Sequence, residues 1–346
     1  VTLTRGARIT GAVLCAVPAL LIIAWLVRDI RAAEGPLAVW EDWSGTADPR
    51  DALRTATSST SLVLLVAYAA AAVAALRSAS AASVLIVTGV VTFALRLPGV
   101  WTSGDASAPE DLRDRALLTT YVALAAGLGL IVAGVAGRRP APEGAERPVG
   151  PGRGAGVAAF LLLGLQALIV AAWEIRQPFV FPSDFYPGWF IGGGPLTVPL
   201  TEGPPGWVSV THVLMFLVAA VGAVAGAAHA RPLGLIAGGF VLSSGVLGTA
   251  RIIHYEMYEH FLDADIEAQL NMLTSFSALL AGPLVLLVLA RKGVGRTPAG
   301  GAPGPWGGSG PWGVQPPGYP PSQAVPGQQP PAPGFGPPPS SPPPRW

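Results

Sequence analysis

The densest run of side chains able to do chemistry is His254-Tyr255-Glu256-Met257-Tyr258-Glu259-His260, followed by Asp263, Asp265 and Glu267. On a helix, Glu256, Glu259, His260 and Asp263 share a face through three- and four-residue spacings, a geometry that brings imidazole and carboxylate together around a divalent cation. His254, Glu256, Glu259 and His260 are therefore candidate metal ligands, although their spacing matches no established metal signature and an acidic surface segment serves equally as a solvated face. Arg96 and Arg251 suggest a different chemistry. Each ends an apolar run, where a guanidinium is costly unless it reaches the headgroup layer or pairs with an acid. Asp29 and Glu174 end two other runs on the same side. The four residues fit an ion-pair clamp in each half of the chain, or an outward-facing pocket that holds an anionic headgroup, substrate or carboxylate. His212, near the end of another apolar run, is a candidate cofactor ligand or proton carrier, a single hydrogen-bonded imidazole being the commoner arrangement.

The elements that must position these residues are read from hydropathy. Of 346 residues 51% are hydrophobic and 12% charged, against about 25% charged in a soluble domain. The apolar residues fall in long Leu-, Val-, Ala- and Gly-rich blocks rather than in 3.6-period stripes. A bilayer core of about 30 Å needs about 20 such residues, and eight blocks qualify: 9–27, 59–76, 82–96, 116–136, 155–173, 208–229, 233–250 and 272–290. The third is the shortest, and spans only with some thinning of the bilayer. The expected fold is an all-α integral membrane protein. A cleaved signal peptide is the rival reading of residues 1–27, but its apolar run is long and it has a retained counterpart later in the chain.

Charge sets the expected orientation. With an inner N-terminus, twelve Lys or Arg face the cytoplasm beside only Glu143 and Glu146, while nine Arg and eighteen acids lie outside. That is a strong positive-inside pattern and places both termini in the cytoplasm. Trp25, Trp40, Trp43, Trp101, Trp173, Trp189 and Trp207 then collect at the outer interface, where an indole satisfies both its ring and its N–H. Arg-rich, Ala-, Gly- and Pro-rich usage points to a bacterial plasma membrane.

The spans divide into two similar halves, 1–150 and 151–295, each with four helices and the same order of long outer loop, short inner turn and medium outer loop. An offset of 155 sets Thr88 against Ser243, Arg96 against Arg251 and Leu118-Thr119-Thr120-Tyr121 against Leu273-Thr274-Ser275-Phe276. An even number of spans per unit makes the halves parallel repeats. Residues 296–346 change to Gly, Pro, Gln and Ser. This composition buries no core and predicts a disordered cytoplasmic tail, whose Pro339–Pro342 spacing suits an aromatic groove on a cytoplasmic partner.

Several functions are disfavoured. Cys15 is the only cysteine, so no internal disulfide or Cys-based zinc site forms. No GxxxxGK[ST] or HExxH motif occurs, and Gly192-Gly193-Gly194-Pro195 reads as a loop turn. No charged residue falls in mid-span, which argues against ion-coupled transport; Gln166, Ser243, Ser244 and Thr88 read as interhelical hydrogen-bonding groups. A nucleic-acid partner is not suggested.

The plan of two four-helix halves, with long first and third outer loops and His212 at the outer end of span six, resembles that of haem A synthases. In that family histidines on the even-numbered spans ligate haem and substrate; here spans two, four and eight have none, so the activity does not carry over. The reading is a non-enzymatic protein of the plasma membrane, partnered by the lipid bilayer, that binds or passes a small or lipidic ligand near Arg96, Arg251, Asp29 and Glu174, with no cofactor. The alternatives are a haem- or divalent-metal-binding enzyme or redox protein, and a scaffold or signalling component working through its proline-rich tail.

Overall fold

A computed structural model of the chain describes residues 2–48, 55–103, 109–140, 150–193 and 198–291. The tail lies outside the described residues, as do Arg147 and part of the Gly192–Pro195 turn. Eleven α-helices follow in order: α1 Arg5–Ala32, α2 Pro36–Ser44, α3 Ser59–Arg77, α4 Ala81–Arg96, α5 Gly99–Thr102, α6 Glu110–Ala136, α7 Arg153–Val180, α8 Tyr186–Ile191, α9 Pro205–Val224, α10 Ala230–His254 and α11 Ile266–Ala290. Two-residue strands β1, Thr2–Leu3, and β2, Arg138–Arg139, pair antiparallel.

Eight helical segments are long and apolar enough to cross a membrane: α1, α3, α4 running on through α5, α6, α7, α9, α10 and α11. The architecture is that of a polytopic membrane protein. In seven of the eight, only 28–39% of the most apolar window is buried, and large side chains such as Leu20, Leu161, Leu168 and Leu280 are more than 60% exposed. Such surfaces suit lipid, which solvates them as well as a protein core would. The exception is the span built on α4, whose window is 56% buried. The block that looked shortest in the sequence is the most buried span, α4 packing on α9 and α10 of the second half as well as on α3 and α6, and α5 lengthens it to Thr102.

Local chemistry fixes the helix ends. Thr4, Ser58 and Asp265 accept hydrogen bonds from the first turns of α1, α3 and α11, and Pro36 and Pro205 open α2 and α9 where the missing N–H costs nothing. The sixth span stops at Val224, five residues short of the block in the sequence, because Gly226 turns the chain in the left-handed region (φ 66°). The side bearing the N-terminus of α1 and the C-terminus of α11 is termed the terminal face, and the other the loop face. At the terminal face Arg8 donates to the carbonyls of Ala75 and Leu76, and Arg231 to those of Leu289, Ala290 and Arg291. These arginines satisfy the open C-terminal carbonyls of α3 and α11.

In the first half α1 packs on α3 and α6, and α4 on α6 and α3; in the second α7 packs on α9 and α11, and α10 on α11 and α9. Glycines set the closest approaches. A Cβ on Gly89 of α4 would sit 2.5 Å from the Gly127 carbonyl oxygen of α6, and one on Gly282 of α11 would sit 2.6 Å from Leu242 of α10. Small residues at such crossings let backbones approach and gain dispersion energy that lipid cannot match. The halves meet through α3 and α4 against α9 and α10.

Candidate functional site

The last turn of α1 places Asp29 in a fully buried position at the loop face. Its carboxylate accepts from the Ala56 and Thr57 backbone N–H groups (3.0 and 2.9 Å), from Thr57 Oγ1 (2.6 Å) and from Arg28 (2.8 Å). Charge-assisted bonds of this kind offset the cost of burying the acid. They also hold the segment before α3, whose Thr55 hydroxyl donates to Asp42 at 2.7 Å and whose Thr57 carbonyl accepts from the Trp43 indole at 2.9 Å. Burial pushes the Asp42 carboxyl above its ordinary value; the Thr55 bond lowers it in part, and the Asp29 charge raises it further.

Ala56 links Asp29 to the second half. Its carbonyl accepts from the backbone N–H and the hydroxyl of Thr201, at 3.1 and 2.7 Å. The Thr201 carbonyl in turn accepts from Arg96, which is only 5% exposed. Arg96 also donates to the Ser61 hydroxyl at 3.3 Å, and that hydroxyl donates to Glu202 at 3.3 Å. Residues 201–204 thus form a buried strap from the second half laid over the loop-face mouth of the first. Beneath it, Thr92 donates its one hydroxyl hydrogen to the Thr88 carbonyl (2.7 Å), so the Tyr68 hydroxyl, 2.9 Å from Thr92 Oγ1, is the donor of that pair. The Thr88 hydroxyl is buried without a partner.

The four residues expected to cluster are not brought into direct contact. Asp29 and Arg96 lie at opposite ends of one network, joined through Ala56 and Thr201, with no bond between them. Arg251 is exposed at the end of α10, and its Nε donates to the Ser44 carbonyl at 3.0 Å. The adjoining Gly45 ends α2 at φ 68°, and a Cβ there would meet the Arg251 guanidinium at 2.9 Å, so a side chain would be strained and would displace the arginine. Glu174 accepts from the Trp189 indole at 2.9 Å, which ties α8 to α7. Among the described residues of the second half, Arg176 pairs with Glu267 and lies 5.6 Å from the Trp173 ring centroid.

No continuous helix runs through the histidine-rich segment, so the face that a helix would give Glu256, Glu259, His260 and Asp263 is not formed. α10 ends at His254, where the Tyr255 and Glu256 N–H groups bond back to Arg251 and Ile253; Glu256 turns left-handed at φ 52°, and Met257–His260 is a single 3₁₀ turn. His254, Glu256, Glu259 and His260 are all exposed. Among the described residues no group of three or more His, Cys, Asp or Glu is gathered to hold a metal ion. His212 lies in α9 between Phe216, stacked at 5.7 Å, and Phe240 at 4.7 Å, with its Nε2 buried and unpartnered. Aromatic rings, not a second ligand, flank that nitrogen.

Ser61, Thr201 and Glu202 are the site residues that sequence reasoning passed over. The one available signal was an acid, Glu202, beside the Pro204-Pro205 pair that opens a transmembrane helix. No protein-family model, curated protein or solved structure matches the chain.

Proposed function

We propose that this is a non-enzymatic protein of a bacterial plasma membrane that binds or passes a small or lipidic ligand through an anionic group held at Arg96, with the loop face outward. One observation carries the reading. Arg96 is buried, its direct partners are the neutral oxygens of Thr201 and Ser61, and among the described residues no carboxylate lies within ion-pair distance. A guanidinium held in this way is a fork set for a carboxylate or phosphate. The Thr201 carbonyl and the hydroxyl-bridged Glu202 occupy the place of that group while the strap is down.

Two parallel repeats accord with this arrangement. Their helices have the same neighbours, Gly127 has a counterpart at the same offset in Gly282, and both Arg96 and Arg251 reach a backbone carbonyl of the opposite half. An inner terminal face follows from the excess of Lys and Arg in its connections.

The test is native mass spectrometry of protein purified in a mixture of phosphatidylglycerol and phosphatidylcholine, with thermal melting in inorganic phosphate. Retention of phosphatidylglycerol identifies a lipid headgroup as the source of the anion, and stabilisation by phosphate a soluble one. Either effect must disappear in Arg96→Gln and persist in Arg77→Gln. If Arg96→Gln behaves as wild type in both assays, the reading is wrong. The unpartnered Nε2 of His212 favours the haem or metal alternative, which a stoichiometric metal or a Soret band lost in His212→Ala would establish.

A further inference from the structure

Among the described residues, every hydrogen bond that joins the two halves lies at the loop face. Besides the strap and the Arg251–Ser44 contact, these are Trp101 to the Ile191 carbonyl (2.9 Å), Trp207 to the Ala94 carbonyl (2.8 Å) and the Tyr255 hydroxyl to the Gly45 carbonyl (3.2 Å). Donors come from both halves. Arg96 reaches from the first into the second, and Arg251 from the second into the first, so the junction is closed reciprocally.

Further along the seam the character changes. Val63 of α3 faces Gly239 of α10, where a Cβ would stand 3.2 Å from the valine. Ala70 and Ala74, seven and eleven residues on, continue the same helical face toward the terminal side. There α3 stands uncovered: Val66, Ala69, Ala70, Val73 and Ala74 line a shallow, open groove running to Arg77 and Ser78, with no residue of α10 on its wall. The face of α3 that is covered at Val63 is thus uncovered two turns later.

Apolar helix contacts in a bilayer are held by dispersion alone, because lipid chains replace a neighbouring helix at little cost, whereas interhelical hydrogen bonds have no substitute in lipid. A seam bonded at one end and apolar at the other is a hinge. We infer that the two halves pivot about the loop-face junction, so that the seam between α3 and α10 opens and closes on the terminal face. The motion is a rigid-body rotation of two bundles, each kept intact by its own glycine crossings. It goes beyond the ligand reading and does not depend on it.

Two spin-label pairs on α3 and at the two ends of α10 test the hinge in lipid nanodiscs, His229 being the residue that precedes α10, after Cys15→Ser removes the native thiol. Leu62→Cys with Ile253→Cys reports the loop face, and Leu76→Cys with His229→Cys the terminal face; all four positions are exposed. Double electron–electron resonance should give a distance distribution about twice as broad, or split in two, for the terminal pair. Equal, narrow distributions would overturn the hinge. In the Arg96→Gln, Arg251→Gln double variant the loop-face pair should broaden while size-exclusion profiles stay monodisperse. An unchanged loop-face distribution in that folded variant would remove the arginines from the junction. No ligand enters the measurement, so a failed hinge leaves the anion site standing, and absent anion binding leaves the hinge standing.

Discussion

The two halves share one helix plan and fill it with opposite chemistry. In the first, Asp29, Arg96, Ser61, Tyr68, Thr92 and Thr88 are all buried, so polar groups run from the loop face into the bundle. In the second, the buried run of α9 is Phe216, Ala219 and Ala223, matching in spacing Tyr68, Ala71 and Ala75 of α3, and its arginine lies exposed. The polar side chain buried within the helices of the second half is Gln166 of α7, which donates to the Ser277 hydroxyl of α11 at 3.3 Å. The first half buries Asp29 and Arg96, and the second supplies the strap, with Glu202, that covers them.

The largest break in that comparison comes at the acids. Asp29→Ala strands the Ala56, Thr57 and Arg28 donors in a buried site and should cost about 3 to 5 kcal/mol, whereas Glu174→Ala loses one indole bond and should cost about 1 kcal/mol. Thermal melting in detergent ranks them, and equal costs would erase the distinction between the halves. The arginines come next: Arg96→Ala should cost about 2 to 3 kcal/mol, and Arg251→Ala less than about 1 kcal/mol, its guanidinium being exposed. Exchanging the aromatic centres is a finer test. Tyr68→Phe removes the donor to Thr92 and Phe216→Tyr buries a hydroxyl in apolar surroundings, each at about 1 to 2 kcal/mol; a neutral Phe216→Tyr would show that the second bundle tolerates polarity after all.

The smallest effect concerns Asp42. Its folded-state pKa is raised, so the folded chain holds the proton more tightly, and stability contributed by the protonated acid is lost as pH rises through the raised value. Asp42→Asn keeps an acceptor for Thr55 and removes the charge. The variant should melt slightly above wild type at pH 7, with the gap closing as pH falls toward the ordinary carboxylate range.

The spans were legible because lipid demands long apolar blocks, and hydropathy reads those without knowledge of partners. Their ends were less so. α1 and α7 run five and seven residues past the C-terminal limits of their blocks, through Arg28-Asp29-Ile30-Arg31 and Glu174-Ile175-Arg176, because polar residues that leave the hydrocarbon remain good helix formers. The ends of α4 and α10 were visible as places where an arginine needs a partner. The partners were not, since the Ser44 and Thr201 carbonyls are backbone atoms that any residue type could supply. Asp29 presents the same difficulty, for two of its donors are amides 27 and 28 residues along the chain. In the histidine-rich segment the spacing would share a face on a helix, but the chain turns at Glu256, a backbone feature that side-chain spacing does not carry.

The Arg96 bond to Thr201 spans 105 residues of chain. At about 5 to 20 residues added per second, the ribosome needs about 5 to 20 s to make the strap after Arg96 has emerged. For that interval the first four helices carry a guanidinium at the membrane boundary with none of its second-half partners yet synthesised. Assembly of this protein therefore has a waiting step, during which the newborn half is sensitive to whatever insertase, lipid headgroup or chaperone covers that charge until the second half arrives.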